Sequence, residues 1–158
     1  MLDLRSVVQG SERVAIIGVG SDMRGDDAAG VEVARRLRQR VRSPRVVVLE
    51  AGVAPENFTS RIKKFRPSLV IIVDTADFGG RPGETILAQA KAITGLSVST
   101  HAMPLSFFAE YLGEETNAKV VFLGVQPKRV DFGARMSREV KKAIGKLVDA
   151  LAESLQSF

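Results

Sequence analysis

Three short polar stretches carry the side chains of this 158-residue chain that are best placed to do chemistry: Gly18-Val19-Gly20-Ser21-Asp22-Met23-Arg24-Gly25-Asp26-Asp27, Asp74-Thr75-Ala76-Asp77 and Thr100-His101-Ala102-Met103-Pro104. Taken together, carboxylates from the first two and the imidazole of the third form an oxygen, oxygen, nitrogen ligand set. Such a set is hard to borderline, suits a divalent first-row metal and leaves coordination positions open for water or substrate. Each residue also has a plainer use. Asp26 and Asp27 fall where a helix begins, and free N–H groups and the helix dipole favour a carboxylate there, so capping alone accounts for at least one of them. Asp74 could cap a turn at a strand end, and His101, the only histidine, could bond a backbone carbonyl. The glycine motif is not a dinucleotide fingerprint, because Met23 stands where the third glycine belongs. It is not a phosphate-binding Walker loop either, since no Gly-Lys-Ser/Thr follows. Ser99, Ser106 and His101 leave serine catalysis formally open, yet the chain has no Gly-x-Ser-x-Gly elbow.

Composition narrows the chemistry further. With no cysteine, disulfides, thiolate zinc sites, iron-sulfur clusters and cysteine nucleophiles are excluded, and any catalyst must use oxygen or imidazole. Absent Cys and Trp, with two Asn against 23 Lys+Arg and 18 Asp+Glu, lean toward a heat-adapted (thermophile) source. The net charge of +5 is read as a solvated basic surface: the run Arg35-Arg36-Leu37-Arg38-Gln39-Arg40 has none of the aromatic interleaving that stacks on bases, so no nucleic-acid partner is expected. No stretch approaches the roughly 20 apolar residues that span a bilayer, and the lead MLDLRSVVQGSER lacks a secretory apolar segment. The expectation is a cytoplasmic monomer without membrane insertion, for which the acceptor-like Asn57-Phe58-Thr59 has no meaning.

The elements that must position these residues follow from apolar spacing. Val14–Ile17 is a buried strand running into the Gly18-Val19-Gly20 turn. From about Asp26, Ala29, Val33, Ala34 and Leu37 recur at helical spacing, Pro44 marks the exit, and Val46–Leu49 is a second strand. Pro55 suits a helix start, with Phe58, Ile62 and Phe65 on one side. Leu69–Val73 is the strongest strand signal and is expected to terminate at Asp74. Glu84–Ala88 mixes polar and apolar residues as an edge strand does, 90–100 is ambiguous, and Pro104 opens a helix expected to stop at Gly113. Val120–Gly124 is another strand. Ser137 caps a last helix with Val140, Ile144, Leu147, Val148, Leu151 and Leu155 in one stripe. The alternation predicts an α/β fold. It is a single domain over 1–158 with its core at about 13–156, built as a twisted, mostly parallel sheet of about five strands sandwiched between helices, with ligands at the strands' carboxyl ends.

Five ordered segments carry a resemblance: Gly-Val-Gly-x-x-x-x-Gly-Asp-Asp-x-x-Gly from Gly18 to Gly30, Ala54-Pro55-Glu56-Asn57, Ile72-Val73-Asp74, His101-Ala102-Met103-Pro104-Leu105, and Phe122-Leu123-Gly124-Val125-Gln126-Pro127. Over about Val14 to Gln126 the chain resembles the hydrogenase maturation endopeptidases, most closely the HycI type. The resemblance implies an endopeptidase that removes the C-terminal extension of a NiFe-hydrogenase large-subunit precursor after nickel insertion. It implies Asp27, Asp74 and His101 as metal ligands, with the attacking water activated either by the metal or by Asp27 or Asp74 as general base. The nickel would be supplied by the precursor, with none tightly bound to the isolated protein. Asp22, Asp26, Asp77, Glu56 and Met103 are assigned to support or substrate contact. The family commonly has Asn where this chain has Ser21, which an additional acid, Asp22, follows. Alternatives from other classes are a non-catalytic nickel-sensing chaperone for the precursor and a small-molecule-binding α/β domain. Metal-free aspartic proteolysis is a further variant, although Asp74-Thr75-Ala76 is only one loop where pepsin-like enzymes need two.

Overall fold

The computed structural model describes residues 2–95, 97–98 and 104–158. Strand β1 (Val14–Val19) is buried at every position, which a strand achieves only inside a sheet covered on both faces. It pairs in parallel with β2 (Val46–Gly52) on one side and β3 (Leu69–Asp77) on the other. Beyond β3 lie β6 (Lys119–Val125), parallel to it, and β4 (Thr85–Gln89), antiparallel to β6, so the order is β2-β1-β3-β6-β4. The short β5 (Ser97–Val98) pairs antiparallel with the end of β3, Val98 opposite Ala76.

Successive strand side chains point to opposite faces, and two cores result. On one face Ile16 and Ile71 pack beneath α2 (Ala29–Arg38) and α5 (Arg138–Ser154), joined by Leu37, Ile144 and Leu151. On the other, Ile17 and Ile72 pack against Ile62 of α3 (Thr59–Phe65) and Phe108 and Leu112 of α4 (Leu105–Thr116). The helix that follows β1 and the helix that precedes β3 therefore lie on opposite faces. Between the carboxyl ends of β1 and β3 this leaves the crevice where such sheets place their sites.

Helix α2 approaches the sheet closely because two glycines face each other there. A Cβ on Gly30 would lie 2.2 Å from the Val73 carbonyl oxygen and 2.3 Å from that of Val19, and one on Gly18 would lie 2.3 Å from the Gly30 oxygen.

Four expectations need correction. The polar N-terminal lead holds a helix, α1 (Leu4–Val8), capped by Asp3, and its Leu4 and Val8 belong to the core. Strand β3 does not end at Asp74 but runs to Asp77, because β6 pairs through Thr75 and β5 continues the pairing on Ala76 and Asp77. Helix α4 passes through Gly113 and ends at Asn117, which takes the left-handed conformation (φ 58°) and donates its N–H to the Gly113 carbonyl. Asp26 and Asp27 lie in a 3₁₀ turn, Gly25–Ala28, ahead of α2, and the turn starts at Arg24 without a side-chain cap. Among the described residues no helix is long and apolar enough to cross a membrane.

Candidate active site

Asp27 reaches the crevice because the chain doubles back after β1. Gly20 sits at φ 138°, and a Cβ there would lie 1.9 Å from the Asp27 backbone carbonyl oxygen and 3.6 Å from Asp74 Oδ1, so only glycine lets the Asp27 backbone pass here beside Asp74. Asp27 is 6% exposed. Its Oδ2 accepts the Ser21 N–H at 3.1 Å and its Oδ1 accepts the Thr75 hydroxyl at 3.2 Å. Asp74, fully buried in β3, accepts the Thr75 N–H on Oδ1 at 2.7 Å. It stands one residue past the last β3 pairing with β1, Gly18 opposite Val73. Thr75 thus ties the two carboxylates, one through its hydroxyl and one through its backbone. From the sequence it was only the middle of an Asp-Thr-Ala tripeptide, and no local signal marks it.

Asp26 takes a different part. It is fully buried and its carboxylate accepts four bonds: Lys128 N–H (2.8 Å) and Arg129 N–H (3.1 Å) on Oδ2, Ser137 Oγ–H (2.8 Å) on Oδ2, and Ser137 N–H (2.6 Å) on Oδ1. Ser137 in turn caps α5, accepting the Val140 N–H. One carboxylate therefore pins the loop after β6 and the start of the last helix to the loop that carries Asp27.

The remaining acids are spread around the rim. Asp77 is exposed. It accepts the Gly79 N–H (3.1 Å) and then the Gln126 side-chain N–H (3.2 Å), and these hold its carboxyl below the usual range. Gln126 also accepts the Phe78 and Gly80 N–H groups, so this residue of the Phe122–Pro127 segment folds the 77–84 loop over the end of β6. Asp22 lies outward, paired with Arg35 at 3.1 Å in a surface network that includes Glu32 and Glu50. Glu56, in the 3₁₀ turn Pro55–Phe58 after β2, keeps one oxygen, Oε2, buried with no hydrogen-bond partner among the described residues. His101 and Met103 lie outside the described residues. Among the described residues no group of three or more His, Cys, Asp or Glu side chains is placed to hold a metal ion. Two fixed carboxylates at a sheet end can accept a proton from water or supply oxygen ligands.

A family model described as HycI, hydrogenase maturation protease, matches residues 31–154. The chain belongs to the hydrogenase maturation protease family. It is similar to the hydrogenase 3 maturation protease of Escherichia coli, 35% identical over 130 residues with 82% of each chain covered. A putative hydrogenase maturation protease of Methanocaldococcus jannaschii is 32% identical over 154 residues, covering 93% of this chain and 90% of the relative. Among solved structures, the NiFe hydrogenase maturation protease HycI of Thermococcus kodakarensis superposes with TM-score 0.90 at 40% identity, covering 97% of this chain and 98% of that one. The protein is thus an endopeptidase of hydrogenase maturation with the mostly parallel α/β fold of its relatives.

Proposed function

We propose that this protease removes the C-terminal extension of a NiFe-hydrogenase large-subunit precursor, reading the nickel already held there through Asp27, Asp74 and His101. The reading rests on one observation above all: Asp27 and Asp74, far apart in sequence, are bridged by Thr75 in a protein of this family. The ligand set has no thiolate, and three oxygen and nitrogen donors hold a metal weakly alone but add usefully to one that a partner already half-coordinates. Of the two acids Asp27 is the one solvent reaches, 6% exposed against 0% for Asp74. It is assigned to take a proton from the attacking water and return it to the nitrogen of the departing tail. Glu56, whose buried oxygen has no partner among the described residues, is assigned to accept a donor from the bound substrate.

The isolated protease is expected to purify without stoichiometric nickel. Nickel-loaded and nickel-free precursor, incubated in parallel with wild-type and His101→Ala protein and weighed by mass spectrometry, test the reading. Only wild type with loaded precursor should yield a shortened subunit and a free tail. Cutting of the nickel-free precursor at the same rate would defeat nickel reading, and binding without any shortening would mark a chaperone instead.

A further inference from the structure

Of the large apolar side chains left in water among the described residues, Val53, Phe107 and Tyr111 lie elsewhere in the chain, while Met23 (61% exposed), Val130 (37%) and Phe132 (75%) share one place. Singly such residues need no explanation, but grouped they mark an interaction site. These three stand on two loops that are bonded to each other. The Gly133 N–H donates to the Met23 carbonyl at 2.8 Å, the Asp26 N–H donates to that of Arg129 at 2.8 Å, and Arg24 Nε donates to that of Val130 at 3.3 Å. The buried Asp26 carboxylate adds the Lys128 and Arg129 N–H groups. Gly25, at φ 56°, lets the loops close, since a Cβ there would lie 2.7 Å from the Arg129 oxygen. A platform fixed this firmly is held in shape in advance, and its apolar tips are exposed.

Its charge is one-sided. Arg24, Lys128, Arg129 and Arg135 are exposed on or beside it, with Asp131 between them and Asp22, next to Met23, paired with Arg35. Lys128 is paired with Glu139 at 3.0 Å, while among the described residues Arg24, Arg129 and Arg135 form no ion pair. Its place is also determined. The two loops leave the carboxyl ends of β1 and β6, the strands that flank Asp74 on β3, and Asp26 is covalently next to Asp27. The platform therefore lies on the rim next to Asp27.

We infer that the Met23–Val130–Phe132 platform docks the folded body of the precursor through a surface patch of apolar and acidic side chains, separately from the tail that enters the crevice. The inference rests on the proposed cleavage of that precursor. Apolar anchors carry most of the binding energy of such contacts, while rim cations set the rate of encounter and its salt dependence.

The test uses Met23→Ser/Phe132→Ser and Arg129→Glu/Arg135→Glu variants of the full chain, each first shown to melt like wild type. Steady-state cleavage of the nickel-loaded precursor and direct binding to immobilised precursor are then measured. The first variant should raise KM and Kd about tenfold or more with kcat kept. The second should weaken binding at low salt and approach wild type at high salt. If wild type binds the precursor but never shortens it, the cleavage reading fails while the binding comparison still decides the platform. Unchanged KM and Kd in both variants overturn the inference. So does a wild-type dimer, seen by sedimentation velocity, that Met23→Ser/Phe132→Ser disperses, because the occupant would then be a second copy of the chain.

Discussion

At Asp26 four donors close on one carboxylate, whereas the neighbouring Asp27 is held by the Ser21 N–H and the Thr75 hydroxyl beside the crevice. An amide at position 26 would turn a donor toward donors and remove the charge from a fully buried site. Hydrogen bonds to a charged group are worth roughly 1.5–3 kcal/mol each, and a buried donor left unpaired costs about 1–3 kcal/mol. Asp26→Asn should therefore lower unfolding stability by about 2–4 kcal/mol, with the cleavage lost only as the folded fraction falls. Asp27→Asn keeps an oxygen for Ser21 and should unfold close to wild type while losing cleavage about a hundredfold or more. Urea midpoints and precursor cleavage measured on the same preparations decide it, and equal loss of cleavage at equal folded yield would mean that the roles are wrongly divided. The adjacent acids were legible in the sequence as a unit. Their division was not, because the partners of Asp26 lie 102 to 111 residues away, and no local pattern encodes such a contact.

Between β1, β3 and α2 the decisive feature is missing volume. Gly30 allows the helix to rest on the backbone of both strands, so Gly30→Ala puts a methyl 2.2 Å from the Val73 oxygen and must lift α2 away, taking the Asp27 loop with it. Gly145, inside α5, is the opposite case: a Cβ there meets nothing nearer than Arg36 Nη2 at 4.0 Å, and the substitution only removes flexibility from the unfolded chain. Gly145→Ala should stabilise by about 0.5–1 kcal/mol, while Gly30→Ala should destabilise by about 3 kcal/mol or more and impair cleavage. Thermal melts of the two variants give shifts of opposite sign if the packing is as described. The long apolar runs that became β1, β3, β6 and α5 were readable because burial on two faces, or one helical stripe, fixes their pattern. Helix α1, with five residues, and β5, with two, are too short to show a period. Asn117 rather than Gly113 ends α4 because a glycine inside a helix is tolerated, whereas the left-handed position is a demand only the folded chain reveals.

Across the whole molecule the alternation of strands and helices announced a parallel sheet, but strand order and register depend on which faces the helices cover, and that is settled only in three dimensions. The same holds for its response to acid. Among the described residues, four surface carboxyls at junctions between elements sit below their usual range. Asp3 is lowered first by the Ser6 hydroxyl at the start of α1, and Asp77 first by the Gly79 N–H in the loop after β3. Glu115 is lowered first by Lys63 between α4 and α3, and Glu139 first by Lys128 between α5 and the platform loop. A carboxyl lowered on folding stabilises the native state above its ordinary value, 3.8 for Asp and 4.5 for Glu, and that contribution is lost as pH falls through the lowered value. Lys63, raised above its ordinary 10.5 by Glu115, behaves in the opposite sense: its contribution is complete below that value and lost only as pH rises through the raised one. The melting temperature should therefore be level from about pH 5 to about pH 9 and decline below that range. All four carboxyls are at the surface, so each contribution is modest, and salt separates them. Added salt should shrink the part of the acid decline owed to the Lys63–Glu115 and Lys128–Glu139 ion pairs, because solvent ions screen exposed charges, and should leave the part owed to the neutral donors at Asp3 and Asp77. Melts at low and high salt, repeated with Lys63→Met and Lys128→Met, measure the division. A melting temperature that rises on acidification from about pH 5 to about pH 3, or a decline equally deep at both salts in wild type and both variants, would show that these pairs do not couple the elements they join.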